Sequence, residues 1–177
     1  LLSCATENYA RLYHVEAKAP SLSWEDIESL KHMGSTVIDR GINFCTFSEH
    51  AERIEILLFD DPESDLPTQQ FPLIQRDNLW CIYIEGIGLG QHYGYIAWGL
   101  NWVYDPEWLP GTTIGFNSDV DNQGNRFNPN KLLFDPWGKA IHRDHDWARG
   151  SVASGPKRAE STLGAASKSV IVGSDYQ

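Results

Sequence analysis

Hydrophobic and polar residues alternate along four stretches of the chain, and a period of two is typical of half-buried β-strands. The alternation occurs at residues 42–48, 53–59, 79–85 and 92–98. Residues 71–74 contain an internal proline, which restricts them to an edge strand or a bulge. Short turn-rich segments, and no long helical patterns, separate these stretches. The sequence therefore predicts an all-β fold, an antiparallel β-sandwich.

The segments between the strands predict turns of different kinds. Residues 49–52 are polar and few enough for a hairpin-like turn. Residues 86–90 have glycine at every second position, but no long helix follows, so a flexible turn is expected instead of a dinucleotide-binding loop. Gly94 lies inside a predicted strand and indicates a close approach by a neighbouring group. Residues 148–168 are rich in Ala, Ser and Gly and predict a mobile linker before a final strand at 169–172.

A long irregular loop is expected from residue 99 to residue 125, because this segment is rich in aromatic and turn residues. Loops of this length are usually functional or packed on another body. A short helix is predicted next, with Asn128 as N-cap, Pro129 at the first helical position and Pro136 as its end. So short a helix must be stabilised by burying its apolar residues against the sandwich. Those residues are Phe127, Leu132, Phe134 and Trp137.

The chain length of 177 residues fits one domain with an appended arm. Residues 1–40 form an N-terminal leader in which residues 24–30 suit an amphipathic helix capped by Ser23, or else remain loosely ordered. Residues 41–144 form the predicted sandwich with its loop and short helix. Residues 145–177 form a linker and a strand. The chain also begins without methionine and ends soon after an apolar run, so we expect a piece of a longer protein.

The formal net charge is −10, with 24 acidic against 14 basic side chains. This balance disfavours binding to nucleic acid and to anionic lipid. No apolar run is long enough to span a membrane, and the first residues lack the features of a signal peptide. The three cysteines, Cys4, Cys45 and Cys81, are widely spaced, and the last two fit apolar strand patterns. We expect all three to be reduced and structural, which fits a cytoplasmic protein.

Aromatic residues in and before the long loop are the first candidates for ligand binding. They are Trp98, Trp102, Tyr104 and Trp108. Flat aromatic rings are what proteins offer to the apolar faces of glucose units. The alternative is that several of these rings hold the loop on the sandwich. The sequence leaves both interpretations open.

Polar clusters suggest weaker candidates. The possible metal ligands are His142, Asp144, His145 and Asp146, for which a solvated polar turn is the alternative. Asp119 and Asp121 lie close in sequence and are expected to bond local backbone amides instead of facing each other across a sugar. The sequence contains no legible Ser-His-Asp set and no phosphate-binding loop.

Four blocks of sequence resemble the N-terminal region of isoamylases and bacterial glycogen-debranching enzymes. The blocks are residues 93–102, 115–116, 118–121 and 126–136. Their order and spacing also match, and four ordered blocks over about fifty residues are more specific than one short motif. The resemblance covers roughly residues 40–144.

The resemblance implies an immunoglobulin-like β-sandwich of the starch- and glycogen-binding type. Isoamylases and glycogen-debranching enzymes belong to the α-amylase superfamily. They hydrolyse α-1,6 branch bonds with acidic residues on a TIM barrel that follows the N-terminal domain. This chain alone is then non-catalytic and holds no cofactor. It is expected to dock on the barrel and to contact an α-glucan such as glycogen or amylopectin. A free-standing starch- or glycogen-binding module is the alternative.

The resemblance also assigns roles to individual residues. Asp144 falls where bacterial isoamylase has an aspartate ligand to calcium, so calcium is implied in the parent enzyme, with the other ligands coming from the barrel. Glycogen-binding members have a lysine where this chain has Gly94. The residues expected to hold the predicted helix for domain docking are Arg126, Asn128, Asn130, Lys131 and Asp135.

Overall fold

The computed structural model describes residues 32–38, 40–149 and 152–173, which form two four-stranded antiparallel sheets. The strand orders are β1-β2-β6-β5 and β4-β3-β7-β8. The predicted helix at residues 24–30 lies outside the described residues. The strands are β1 (Gly34–Ile38), β2 (Gly41–Phe47), β3 (Ala51–Phe59), β4 (Gln69–Pro72), β5 (Ile74–Arg76), β6 (Leu79–Glu85), β7 (His92–Gly99) and β8 (Ser169–Val170).

The hydrophobic core lies between the two sheets. Alternate side chains of the inner strands point into it, and Phe44, Ile56 and Tyr93 are completely buried. In the first sheet Phe44 pairs with Ile82, and in the second sheet Ile56 pairs with Tyr95. The architecture is that of an immunoglobulin-like sandwich, which confirms the predicted fold class. All four alternating stretches are strands.

Two details of the strand connections differ from the sequence prediction. The polar turn after β2 does not make a hairpin, because β2 belongs to the first sheet and β3 to the second. This turn instead carries the chain across the sandwich. The strand β1 was also missed, since its residues Gly34–Ile38 fall in the stretch expected to be a leader.

Cys45 and Cys81 form a disulfide bond, so the expectation that they are reduced was wrong. They stand directly opposite each other in the β2–β6 pairing, where facing Cβ atoms are close enough to be bridged. Their separation of 36 residues in the sequence does not predict the bond, because the bond depends on how β2 and β6 are aligned in the sheet. Cys4 lies outside the described residues. The cytoplasmic location stays a prediction, without the support of these two thiols.

A second hydrophobic core lies on the outer face of the second sheet. Leu57 and Trp98 of the sheet are covered by Trp102 and Trp108 from the long loop. The cover is completed by residues 163–166 of the C-terminal segment. Residues 162–168 of the stretch expected to be a mobile linker are therefore mostly buried, whereas residues 152–161 are exposed or half-buried. The domain boundary at residue 145 itself stays a prediction.

The predicted short helix at residues 128–135 is absent from the structure. The side chain of Asn128 does act as a cap, because its Oδ1 accepts a 3.0 Å hydrogen bond from the backbone N–H of Asn130. One turn forms, and the backbone then turns to β7, where Leu133 and Tyr95 exchange two hydrogen bonds of 2.8 Å. Pairing with the sheet edge prevails over local helix preference in this segment.

The helical segments of the described residues are two short 3-10 helices, Trp147–Arg149 and Gly155–Lys157. Within the described ranges, no helix has the length and apolar character needed to cross a membrane.

Candidate docking and glucan-contact surface

The segment after the Asn128 turn closes one side of the sandwich. Leu133 pairs with β7, and Ile141 forms a bridge with Ser169 of β8. Between them, Trp137 lies against the start of β1, where a Cβ added to Gly34 would be 2.8 Å from the Trp137 carbonyl oxygen. Gly34 also has a φ of +88°, which glycine adopts without strain. Residues 133–141 therefore connect the edges of both sheets.

Asp135 anchors this closing segment from inside the protein. Its side chain is buried, and its carboxylate accepts hydrogen bonds from the Tyr93 hydroxyl (2.8 Å) and the Trp137 backbone N–H (2.9 Å). Its own backbone N–H donates to Oγ of Ser169. Burial raises the pKa of Asp135 above the usual value for an aspartate, although its hydrogen bonds act in the opposite direction.

Gly94 permits the closing segment to lie directly on β7. A Cβ at this position would be 2.8 Å from Cδ1 of Leu132 and 3.0 Å from the carbonyl oxygen of Leu133. The prediction of a close approach at Gly94 is confirmed. The lysine that glycogen-binding members carry at this position has no room here, because the buried Leu132 fills that space.

Besides Asp135, three of the predicted docking residues hold intramolecular contacts. Asn130 accepts a hydrogen bond from the Gly111 N–H and donates one to the Thr112 carbonyl, so it fastens the long loop. Lys131 donates to the carbonyl of Glu160, and burial lowers the pKa of its ammonium group. The third, Asn128, donates to the carbonyls of Ala153 and Arg158.

Arg126, by contrast, is exposed at the surface. It belongs to the lining of a cleft of about 330 Å³, together with Ala97, Phe127 and Leu133. A direct role in docking for Arg126, Asn128, Asn130, Lys131 and Asp135 stays a prediction.

The outward side of the closing segment carries an apolar strip, which we call the edge strip. It consists of Leu133, Phe134, Trp137 and Ile141, each between 42% and 55% exposed. Phe134 and Trp137 are thus not buried by the sandwich as the sequence suggested, whereas Leu132 is buried and Phe127 packs against the core. Four half-exposed apolar residues within one short segment make it a candidate surface for contact with another body.

The four aromatic residues proposed for glucan binding are brought together, but largely in the interior. Trp98 and Trp102 are each 1% exposed, and Trp108 is also buried. Trp98 makes edge-to-face contacts with Tyr104 and Trp108 at 5.3 and 5.2 Å between ring centroids. This packing supports the alternative interpretation, in which the rings hold the loop on the sheet. Sugar binding by these residues stays a prediction.

The polar residues 142–146 do not form a metal cluster. Nε2 of His142 lies 2.7 Å from Oε1 of Glu63, and Nε of Arg143 donates a hydrogen bond to the same oxygen. The hydrogen bonds from Arg143 and His142 lower the pKa of Glu63 to about 2. In the described parts of the chain, no group of three or more His, Cys, Asp or Glu side chains could hold a metal ion. Asp144 is exposed, and its single carboxylate does not make the oxygen-rich site that calcium requires.

The two aspartates considered as a catalytic pair have separate structural partners. Asp119 forms an ion pair with Arg158 at 2.7 Å, and the hydrogen bond with Arg158 lowers its pKa. Asp121 accepts hydrogen bonds from the backbone and side chain of Asn125 and from the Gln123 N–H. Asp121 thus bonds local backbone amides, as the sequence indicated, whereas the partners of Asp119 are the distant Arg158 side chain and the Gly155 N–H.

The two antiparallel sheets define the class of this protein as a β-sandwich module. The family model described as carbohydrate-binding module 48 (isoamylase N-terminal domain) matches residues 32–138. The chain belongs to this family, and the resemblance seen in the sequence is confirmed. The matched family is a binding module and not a catalytic domain.

The chain is similar to one part of several much longer enzymes. It is 39% identical over 115 residues to an isoamylase of a Flavobacterium species, covering 59% of this chain and 15% of that protein. It is 34% identical over 148 residues to a glycogen debranching enzyme of Yersinia enterocolitica, covering 81% of this chain and 19% of that protein. The chain thus spans less than a fifth of the length of these relatives.

A solved structure shows the same fold at low sequence identity. It is a product complex of the multi-modular glycogen-degrading pneumococcal virulence factor SpuA, with a TM-score of 0.50 and 12% identity. The similarity covers 85% of this chain and 13% of that one.

Proposed function

We propose that this chain is the N-terminal module of a debranching glycoside hydrolase that cleaves α-1,6 bonds of glycogen or starch, and that the module docks on the catalytic TIM barrel of the same polypeptide. The family match over residues 32–138 carries this proposal. Relatives with this module are named isoamylase and glycogen debranching enzyme, and each is several times longer than this chain.

The edge strip is the proposed docking surface. Its side chains project from the segment that joins the two sheet edges, and they leave apolar area in water that contact with another domain would bury. The segment is held by the buried Asp135 and by the Leu133–Tyr95 backbone pairing. A surface whose backbone is fixed in advance loses little conformational entropy on docking. Asp144 would add one carboxylate to a calcium site completed by the barrel.

The first experiment is to determine the coding sequence that follows the codon for Gln177. A barrel with three catalytic carboxylates in the same reading frame is the expected result. A stop codon directly after Gln177 would refute the proposal and favour a free-standing starch- or glycogen-binding module.

The second experiment tests the docking surface in the full-length enzyme and in the 177-residue chain. The double variant Phe134→Ala/Trp137→Ala should lower the thermal midpoint of the full-length enzyme more than that of the chain alone, because the two rings are half exposed without the barrel. The matched control is Leu100→Ala, a similarly exposed residue at the tip of the turn after β7. Equal effects of the double variant in both proteins would contradict docking through the edge strip.

A further inference from the structure

The outer face of the first sheet is buried at its centre. Phe44 and Ile82 point into the core between the sheets, so their neighbours along β2 and β6 point outward. These outward residues are Asn43, Cys45, Cys81 and Tyr83, and each is between 0% and 6% exposed. Side chains at the centre of an uncovered sheet face would be open to water. The burial of these four residues therefore requires a cover.

The described connecting segments lie on other parts of the sandwich. The long loop and residues 163–166 cover the outer face of the second sheet. Residues 133–141 run along the edges of the two sheets. Within the described ranges, the partly buried apolar side chain that packs on Cys45 and Cys81 is Leu79, which belongs to the same sheet. The apolar cover of this face thus comes from a part of the chain outside those ranges.

One such part is long enough to supply the cover. The described ranges leave out residues 1–31, and the other gaps are residue 39, residues 150–151 and residues 174–177. None of these three gaps is longer than four residues. Residues 1–31, in contrast, lead into β1, which is an edge strand of the first sheet. The first residue of β1, Gly34, stands two strands from β6 and directly opposite Cys45.

The sequence of this segment provides a matching apolar side. Trp24, Ile27 and Leu30 recur at every third position, which places them along one side of the predicted helix. The residues between them are acidic or polar. A helix over residues 24–30 would be about 10 Å long, and adjacent strands are about 4.8 Å apart. A helix of this length is sufficient to cross β2 and β6.

We propose that residues 1–31 pack on the outer face of the first sheet, with the apolar side of residues 24–30 placed over Cys45, Cys81 and Tyr83. The N-terminal segment is then a layer of the sandwich and not a separate leader. It shields the Cys45–Cys81 disulfide from reductants in solution. It also closes this face to other domains. The proposal does not depend on the proposed function.

The first test is photo-crosslinking within the 177-residue chain. Ile74 is 42% exposed and stands opposite Cys81 on the strand farthest from β1, so chain neighbours of β1 do not lie beside it. The variant Ile74→p-benzoylphenylalanine should form crosslinks to a peptide within residues 1–31, identified by mass spectrometry. The matched control is the same substitution at Ile141, which is 47% exposed at the edge of the second sheet. It should give no crosslink to residues 1–31.

The second test measures how fast dithiothreitol reduces the disulfide under native conditions, with circular dichroism to check folding. Thiol–disulfide exchange requires access to a sulfur atom. The double variant Trp24→Ala/Leu30→Ala should be reduced about tenfold faster than the wild type, because the loss of buried apolar area favours the uncovered state. The matched control Glu25→Ala/Glu28→Ala changes the polar side of the same segment. Its disulfide should be reduced at the wild-type rate.

Three results would overturn the proposal. In the first, position 74 forms no crosslink to residues 1–31. In the second, the crosslinks from position 74 join two copies of the chain, which would make a second copy the cover. In the third, the disulfide of Trp24→Ala/Leu30→Ala is reduced at the wild-type rate. None of these results affects the docking experiment, which measures the thermal midpoint of the full-length enzyme.

Discussion

The hydroxyl of Tyr93 donates a 2.8 Å hydrogen bond to the buried carboxylate of Asp135, 42 residues later in the chain. This contact attaches the closing segment to the middle of the second sheet. The carboxylate is shielded from solvent, and burial raises its pKa. Because burial raises the pKa of Asp135 above its value in the unfolded chain, this group makes stability depend on pH.

The first prediction concerns the pH dependence that Asp135 contributes. The folded state keeps the Asp135 proton up to a higher pH than the unfolded state does, because the folded pKa is raised. The contribution of this group to the free energy of unfolding therefore falls as pH rises through that interval. The difference in unfolding free energy between the wild type and Asp135→Asn should shift in favour of the wild type from pH 7 to about pH 4. Urea denaturation of both proteins at several pH values measures this difference.

The variant Tyr93→Phe is the companion to this experiment. It removes one hydrogen-bond donor from the buried carboxyl group and should cost about 1–3 kcal/mol at pH 7. The cost should become smaller toward acidic pH, as the carboxyl group takes up a proton. If the unfolding free energies of the wild type and Asp135→Asn change with pH in parallel, Asp135 does not cause the pH dependence.

The second prediction concerns the disulfide between β2 and β6. In a chain-entropy account, a bridge across 36 residues restricts the unfolded state and contributes about 3–4 kcal/mol. The double variant Cys45→Ser/Cys81→Ser should lose about this amount in denaturant unfolding. Alkylation without reductant, followed by mass spectrometry, should leave Cys45 and Cys81 unlabelled. Labelling of all three cysteines in the folded protein would show that the bridge does not form.

The third prediction concerns Lys168, whose side chain is completely buried. Its Nζ donates to the carbonyls of Pro62 and Leu163 and lies 4.4 Å from the ring centroid of Phe59. Burial lowers the pKa of this lysine to about 8. The folded state then loses the proton at a lower pH than the unfolded state does, so this contribution to stability rises as pH rises above about 8.

The variant Lys168→Met tests the contribution of the Lys168 hydrogen bonds and the effect of its lowered pKa. It should be less stable than the wild type by about 1–3 kcal/mol at pH 7, because buried carbonyl groups lose a donor. The gap should widen between pH 7 and about pH 9.5, as the wild-type lysine becomes neutral. Unfolding curves at matched pH values measure the gap, and a constant gap would contradict the lowered pKa.

The fourth prediction concerns the second hydrophobic core. Trp102 is buried, packs edge-to-face on Phe116, and its Nε1 donates to the carbonyl of Ile114. Trp102→Ala should therefore cost about 3–5 kcal/mol in unfolding free energy. Leu100→Ala, at an exposed position two residues earlier, should change stability by less than about 0.5 kcal/mol. Similar small effects for both variants would mean that the loop is not packed as described.

The strands were predictable because their signal is local. In β2, β3, β6 and β7 the alternation of polarity along the strand predicts the strand by itself. The neighbouring strands need not be known. Gly94 was also informative, since a glycine within a strand indicates a neighbour at short distance. The resemblance to isoamylases added the immunoglobulin-like form of the sandwich, which alternation alone leaves open.

The errors occurred where distant segments decide the outcome. Asn128 and Pro129 have the sequence of a helix start, but the backbone groups that follow bond to Tyr95 of β7. Whether Trp98 and Trp102 face solvent or the interior also depends on residues 163–166, which lie over the sheet. The Cys45–Cys81 bridge depends on strand register, which the spacing of the cysteines does not encode.

The late position of β8 has a consequence for biosynthesis. The edge of β7 near Tyr93 obtains its partner only when Ser169–Val170 has left the ribosome, about 70 residues after β7 ends at Gly99. At about 5–20 residues per second, translation of this interval takes roughly 4–14 s. A nascent chain with an uncovered strand edge can pair with a neighbour on the same polysome. Expression at high ribosome density should therefore favour aggregation before the strand arrives.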